Sequence, residues 1–208
     1  MLRKKRKREA RYRLIKRMLD LLFSAVLLCF LALPMLLIGI AIRCGSRGPA
    51  IFRQIRVGQN GKHFVCLKFR TMYEDAPHDK PSSEMQDGAY VTPIGRLLRR
   101  TSLDELPQLW NVLRGEMSLV GPRPLIPSEE EVHRLRRRSG ADRVRPGMTG
   151  LSQIQGRDFL PNREKARLDA RYARTLHLFG DLRILAKTVT GAFLGKDVFP
   201  QSARNFQK

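Results

Sequence analysis

Aromatic residues make up only 7% of this 208-residue chain, with a single Trp110, and none is interleaved with basic residues in the manner that stacks nucleic-acid bases. Cysteine is equally sparse. Cys29, Cys44 and Cys66 form no CxxC pair, lack closely spaced histidines and are odd in number, which excludes a disulfide framework or structural zinc and points to a reducing compartment. The four histidines, His63, His78, His133 and His177, show no metal-ligand spacing. No G-x-S-x-G, G-x-x-x-x-G-K-[ST] or G-x-G-x-x-G motif is present, which removes the commonest hydrolase, P-loop and dinucleotide signals, and no Asp-x-Asp marks a metal-dependent glycosyltransferase. Acid is short too: 19 Asp and Glu stand against 40 Lys and Arg, a formal charge of +21. That excess calls for a polyanionic partner, whether nucleic acid, anionic lipid or phosphorylated substrate.

What the chain does have is one long apolar run, Leu21 to Ile42, about 20 residues and so long enough to cross a hydrocarbon core as a helix. A secretory signal would be about half as long and end in a small-residue cleavage site, which is missing after Ile42. Pro34 sits mid-run, where loss of a backbone hydrogen bond predicts a kink or break. Basic residues crowd both flanks: Arg13, Lys16 and Arg17 before the run, Arg43, Arg47, Arg53 and Arg56 after it. A spanning helix keeps such residues on one side, so the pattern predicts a segment that re-enters the leaflet it came from, its basic opening against anionic lipid headgroups. A kinked spanning helix is the competing reading.

Beyond the membrane segment, residues 51–69 alternate as a β-hairpin turning at Gln59-Asn60-Gly61, where Asn-Gly supplies positive φ. Residues 73–90, rich in Asp, Glu, Pro, Ser and Gly, read as a mobile loop of lid length. Helices are predicted from Pro93 to Arg100, from Leu103 to Leu113 with a stop at Gly115, and from Ser128 to Arg138. A Gly-rich connector from Arg145 to Arg157 leads to helices over 163–176 and 181–194. The fold class is therefore α/β: a mixed helix and short-strand catalytic domain over 44–208, a basic segment over 1–17, and a membrane helix over 18–43 broken at Pro34. Several of the helices are expected to lie amphipathically at the interface.

The chemistry centres on Asp104 and Glu105 in Thr101-Ser102-Leu103-Asp104-Glu105-Leu106-Pro107. Ser102 with Glu105 three residues on also reads as a capping box, in which both acids merely suit the helix dipole. The surrounding cations favour more. Lys68 and Arg70 end a strand, Arg99 and Arg100 precede the acids, Arg123 lies between prolines and Arg157 closes the connector, so the groups that would bind phosphate gather at turns. Within such a site Asp104 could attack phosphorus and Glu105 could hold Mg2+ against pyrophosphate oxygens.

These residues, with Ile15-Lys16-Arg17-Met18-Leu19-Asp20, Lys68-Phe69-Arg70-Thr71-Met72, Met117 to Pro124, Arg145 to Leu151, Leu168-Asp169 and Asp181 to Leu185, resemble the bacterial sugar transferases, or small monotopic phosphoglycosyl transferases. The resemblance covers nearly the whole chain. It implies a re-entrant helix in the bacterial inner membrane with the catalytic domain on the cytoplasmic face, at the first membrane step of a glycan pathway. It further implies a ping-pong reaction: Asp104 takes a phosphosugar from a UDP-sugar, UMP leaves, and undecaprenyl phosphate collects the phosphosugar. By the same likeness Glu105 would hold Mg2+, Lys68, Arg123 and Arg157 would contact substrate, Asp181 would be a further active-site acid, and Asp169 is a weaker candidate that also reads as structural. Pathway glycosyltransferases would be partners, and nucleic acid would not. One departure is that many members carry Ser-Pro at the membrane break, whereas here Leu33 precedes Pro34, leaving the kink to proline alone. The chain also looks like the minimal catalytic form, without the multi-helix N-terminal part of larger relatives. The alternatives are a membrane-tethered nucleic-acid binder, whose affinity would fall steeply with salt and survive loss of Asp104, and a scaffold with no turnover of any nucleotide sugar.

Overall fold

The computed structural model describes residues 2–76, 90–156 and 160–193, with side chains from residue 11 to residue 191 of these. The 73–90 loop falls largely outside the described residues, and so does Arg157. Six helices are described: α1 (Leu2–Gly45), α2 (Pro93–Thr101), α3 (Gln108–Arg114), α4 (Glu130–Ser139), α5 (Asn162–Arg174) and α6 (Leu178–Phe193). Four short strands accompany them: β1 (Ile51–Val57), β2 (His63–Phe69), β3 (Ser118–Val120) and β4 (Gly147–Thr149). The expected mixture of helices and short strands is what the chain adopts.

The hairpin forms where alternation and Asn-Gly predicted it. β1 and β2 pair antiparallel from Ile51 with Phe69 to Val57 with His63, and the turn carries positive φ at Asn60 (54°) and Gly61 (77°). β3 and β4 make a separate parallel pair, Ser118 with Gly147 and Val120 with Thr149. Glycine is required there, because a Cβ on Gly147 would lie 2.0 Å from the Gly121 nitrogen.

Helix α1 is continuous from Leu2 to Gly45 with Pro34 inside it, so the expected break into two helices is not present, and of the two expectations only a bend at Pro34 is compatible with this helix. Proline removes a single donor, and an apolar segment facing outward keeps its other backbone groups paired only by staying helical. The proposed boundary between residues 17 and 18 thus lies inside one helix. Over Arg11–Gly45 the apolar side chains lie almost wholly outside the protein core, and this helix is long and apolar enough to cross a membrane.

Both flanks of the apolar run dock on the same domain. On the N-terminal side, Arg17 donates to the carbonyls of Val112 (2.7 Å) and Leu113 (3.1 Å) in the last turn of α3. Asp20 accepts from Ser118 Oγ (2.8 Å) and the Leu119 amide (3.1 Å). On the C-terminal side Ile42, with Met35 and Ile38, packs on Phe69 and Leu98 in a cluster that reaches Leu106. The apolar helix therefore packs, through this cluster, against Leu106, the residue that follows the Asp104–Glu105 pair.

Candidate active site

The acids occupy a turn whose shape differs from the expected first turn of a single helix. Ser102 has φ 58° and ψ 16°, and its amide bonds to the Arg99 and Leu98 carbonyls, so it closes α2 in the left-handed region. A one-turn 3-10 helix over Leu103–Glu105 follows, and Pro107 leads into α3. The capping box is thereby corrected: a left-handed Ser102 cannot aim its hydroxyl at the following amides, and it makes no side-chain cap. Freed from capping, the Glu105 carboxylate points to cations. Its Oε1 accepts from Lys68 Nζ at 2.7 Å and Arg123 Nη1 at 3.4 Å, with these side chains 19 to 23% exposed.

Lys68 reaches Glu105 because α3 is stitched to β2. Asn111, fully buried on α3, accepts from the Leu67 amide (3.0 Å) and donates to the Val65 carbonyl (2.7 Å) and Glu116 Oε2 (2.7 Å). Its side-chain amide thus acts as a third strand along one stretch of the hairpin. Nothing had been read from Asn111 in the sequence, although a buried amide between Leu109 and Val112 on an apolar helix face was the available signal.

Asp104, Glu105, Lys68, Arg99 and Arg123 come together on one cleft of about 1360 Å³ that also meets Arg43, Arg53, Arg56 and, from α6, Lys187. Burial, and then the Glu105 charge, push the Asp104 carboxyl above the ordinary carboxylate range, while Lys68, Arg99 and Arg123 pull it back. Arg99 is steadied by a 2.9 Å bond from its Nε to Thr71 Oγ1. Among the described residues no three His, Cys, Asp or Glu side chains converge as a metal cage. A carboxylate pair beside a phosphate cleft is nevertheless a donor set suited to Mg2+, which takes one or two carboxylates together with substrate phosphates and water.

Two predicted site residues bond away from the two acids. Asp181 does not line the cleft. Buried on α6, it accepts from Tyr12 (2.7 Å), Lys16 (2.6 Å) and Tyr172 (2.9 Å), fastening α1 to α5 and α6. Arg70 borders the cleft, but its guanidinium is turned to the chain leaving α1, where it bonds Ser46 O and Oγ (both 2.9 Å) and the Arg47 carbonyl. That exit turns through Gly48 at φ 101°, where a Cβ would collide with Arg70. Asp169 is fully buried against Arg136 and Ser152, the structural alternative considered for it.

Cations at this density beside two carboxylates suit a ligand more strongly anionic than either acid, so the fold and cleft define a phosphate-handling protein that carries a membrane-compatible helix. The chain belongs to the bacterial sugar transferase family, whose sequence profile matches residues 11–195. It is 43% identical over 183 residues to the UDP-glucose:undecaprenyl-phosphate glucose-1-phosphate transferase of Caulobacter vibrioides, covering 84% of this chain and 68% of that protein. The protein of the same name from Klebsiella pneumoniae is 39% identical over 191 residues, and there the chain spans 41% of the relative's length. The exopolysaccharide production protein ExoY of Rhizobium meliloti is 38% identical over 199 residues, covering 87% of this chain and 86% of that protein.

Proposed function

We propose that the chain transfers a sugar-1-phosphate from a UDP-sugar to undecaprenyl phosphate, with a phosphosugar held covalently on Asp104 between the two half-reactions. The observation that carries this reading is the placement of Asp104 beside Glu105 among Lys68, Arg99 and Arg123, one packing layer from the apolar helix. An Asp104 carboxylate oxygen attacks the sugar-bearing phosphorus and the bond to the bridging oxygen breaks, its electron pair leaving with UMP. An oxygen of the lipid phosphate then attacks the same phosphorus, the acyl phosphate bond breaks and the Asp104 carboxylate is restored. No net proton is required. The partly desolvated Asp104 carboxylate is a better nucleophile than a hydrated one, and Lys68, Arg99 and Arg123 oppose the rise in its pKa that burial and Glu105 cause. Glu105 would hold Mg2+, which when bound neutralises pyrophosphate oxygens.

The two half-reactions take place where α1 meets the domain, so the acceptor lipid need not leave the bilayer. Docking of both flanks of the apolar run onto one domain supports a helix that enters and leaves on the cytoplasmic side of the plasma membrane. The name of the Rhizobium relative supports a place at the first membrane step of an exopolysaccharide or related glycan pathway.

The test is UMP release by detergent-solubilised protein offered UDP-sugars, Mg2+ and undecaprenyl phosphate, beside the Asp104→Asn variant. Lipid-dependent release, absent in the variant, and a phosphosugar adduct on the Asp104 peptide by mass spectrometry are expected. Turnover by a folded Asp104→Asn protein would overturn the covalent route, and no release by the wild type from any UDP-sugar would overturn the activity.

A further inference from the structure

Arg123 comes to the site on a loop, and loops seldom hold a side chain to the tolerance of a reacting phosphate, where a displacement of about 1 Å can cost on the order of a hundredfold in rate. This loop is held from outside at every step. The carbonyls of five successive residues each accept a hydrogen bond from a donor elsewhere in the fold: Pro122 from the Gly147 amide (2.9 Å), Arg123 from Arg136 Nη1 (3.0 Å), Pro124 from Arg56 Nη1 (3.1 Å), Leu125 from the Val57 amide (2.9 Å) and Ile126 from His133 Nε2 (2.8 Å). Prolines at 122, 124 and 127 fix φ along the same stretch.

One of these five donors grips the residue that carries the guanidinium. Arg136 is buried on α4, and its aim is set by Asp169 on α5, whose Oδ2 accepts from Arg136 Nε (2.9 Å) and Nη2 (2.6 Å). Asp169 Oδ1 in turn accepts from Ser152 Oγ (3.0 Å). None of Ser152, Asp169 or Arg136 lines the cleft, and the relay's hydrogen bonds meet it at Arg123. A buried ion pair of this kind is a poor source of stability, since an apolar pair of similar volume often serves as well. Geometry is what it supplies. The planar guanidinium fork aims separate N–H groups at the carboxylate and at the Arg123 carbonyl in one fixed geometry; a lysine ammonium has three donors but no such rigid fork to span the two.

We propose that Arg136, aimed by Asp169 and Ser152, is a positioning residue that sets the direction in which Arg123 meets Glu105 and the substrate phosphates. This rests on the reading of the cleft as a nucleotide-sugar site. The test is a double-mutant cycle with Arg136→Lys and Arg123→Gln, read as UDP affinity by calorimetry and as kcat/KM for the UDP-sugar, with folding followed by circular dichroism. With Arg123 present, Arg136→Lys should weaken UDP binding and lower kcat/KM by about tenfold to a hundredfold. In the Arg123→Gln background it should add nothing, because the group it aims is gone. Losses that multiply across the cycle, or a folded Arg136→Lys protein with wild-type values, would overturn the proposal. If Arg136→Lys does not stay folded, Ser152→Ala, which removes one bond to Asp169, runs the same cycle: a loss confined to the Arg123 background supports the relay, and no loss or a multiplying one overturns it. A wild type that binds UDP and turns over while the cycle multiplies sinks this inference alone; one that neither binds UDP nor releases UMP sinks the functional reading with it.

Discussion

Replacing Lys68 by Met keeps most of the side-chain stem and removes one charge 2.7 Å from Glu105. At that distance, with an effective dielectric of about 20, the direct attraction is about 6 kcal/mol. Desolvation and the one-fifth exposure of both partners offset much of it, leaving about 2 to 3 kcal/mol for a charge-assisted hydrogen bond. If that interaction is strengthened as the pyrophosphate is cleaved, kcat/KM for the UDP-sugar falls by about 30- to 150-fold. The pH profile carries a second signature. Lys68 is the leading cation holding the Asp104 pKa down against burial and Glu105. The nucleophile acts as the anion, so activity is lost as pH falls through the Asp104 pKa; removing Lys68 raises that pKa, and the loss begins at higher pH. Lipid-dependent UMP release measured across the acidic and neutral range reads both effects. A Lys68→Met protein within about twofold of wild type, with an unmoved acidic limb, would refute the electrostatic argument, since about 2 kcal/mol cannot vanish into so small a change.

Asn111→Ala leaves the Leu67 amide and the Val65 carbonyl without the partner that joins β2 to α3. It should destabilise the domain by about 2 to 4 kcal/mol in urea unfolding, and a loss under about 1 kcal/mol would show that water replaces the amide. Asp104→Asn should raise the melting temperature at neutral pH while abolishing turnover. Burial places the folded-state pKa of Asp104 above its unfolded value, so the stability this carboxyl contributes is complete below the ordinary carboxylate pKa and is lost as pH rises through the folded one. The variant's advantage should accordingly disappear in acid, and an equal advantage at all pH would point to packing instead. Asp181→Leu leaves Lys16 without its 2.6 Å partner and should loosen α1, seen as faster proteolysis near residue 17, with KM for the UDP-sugar unchanged. A stable Asp181→Leu protein with a raised KM would return Asp181 to the active site.

Where local chemistry decides the backbone, the sequence was a good guide. Asn60-Gly61 supplied the positive φ of the hairpin turn, Gly115 ended α3 at φ 85°, and Thr92-Pro93 opened α2 with a side-chain cap. The basic residues expected near the acids were legible because they cluster at strand ends and turns, and Lys68, Arg99 and Arg123 do meet Asp104 and Glu105 on the cleft. Ser102 was misread because its spacing to Glu105 also fits a capping box, and only the left-handed turn between α2 and the acids shows which spacing is used. The bonding partners of Asp181 and Arg70, and Asn111 altogether, escaped for a different reason. Each of these residues has partners more than 20 residues away in the chain, on α1, its exit or β2, and no local pattern encodes such pairings.

The fastening of α1 to α6 has a consequence for how the protein is made. Tyr12 and Asp181 stand 169 residues apart in the chain. At ribosomal rates of about 5 to 20 residues per second, the apolar helix emerges roughly 8 to 34 s before the carboxylate that will hold its polar end. A helix that enters lipid as it emerges would do so while Tyr12, Lys16 and Asp20 still await Asp181 and β3, before the tertiary lock forms. A nascent chain stalled after α4 would be lodged in the bilayer yet unlatched, with its polar face available to insertion factors. Among the described helices, the last to leave the ribosome is the one that closes the first into place.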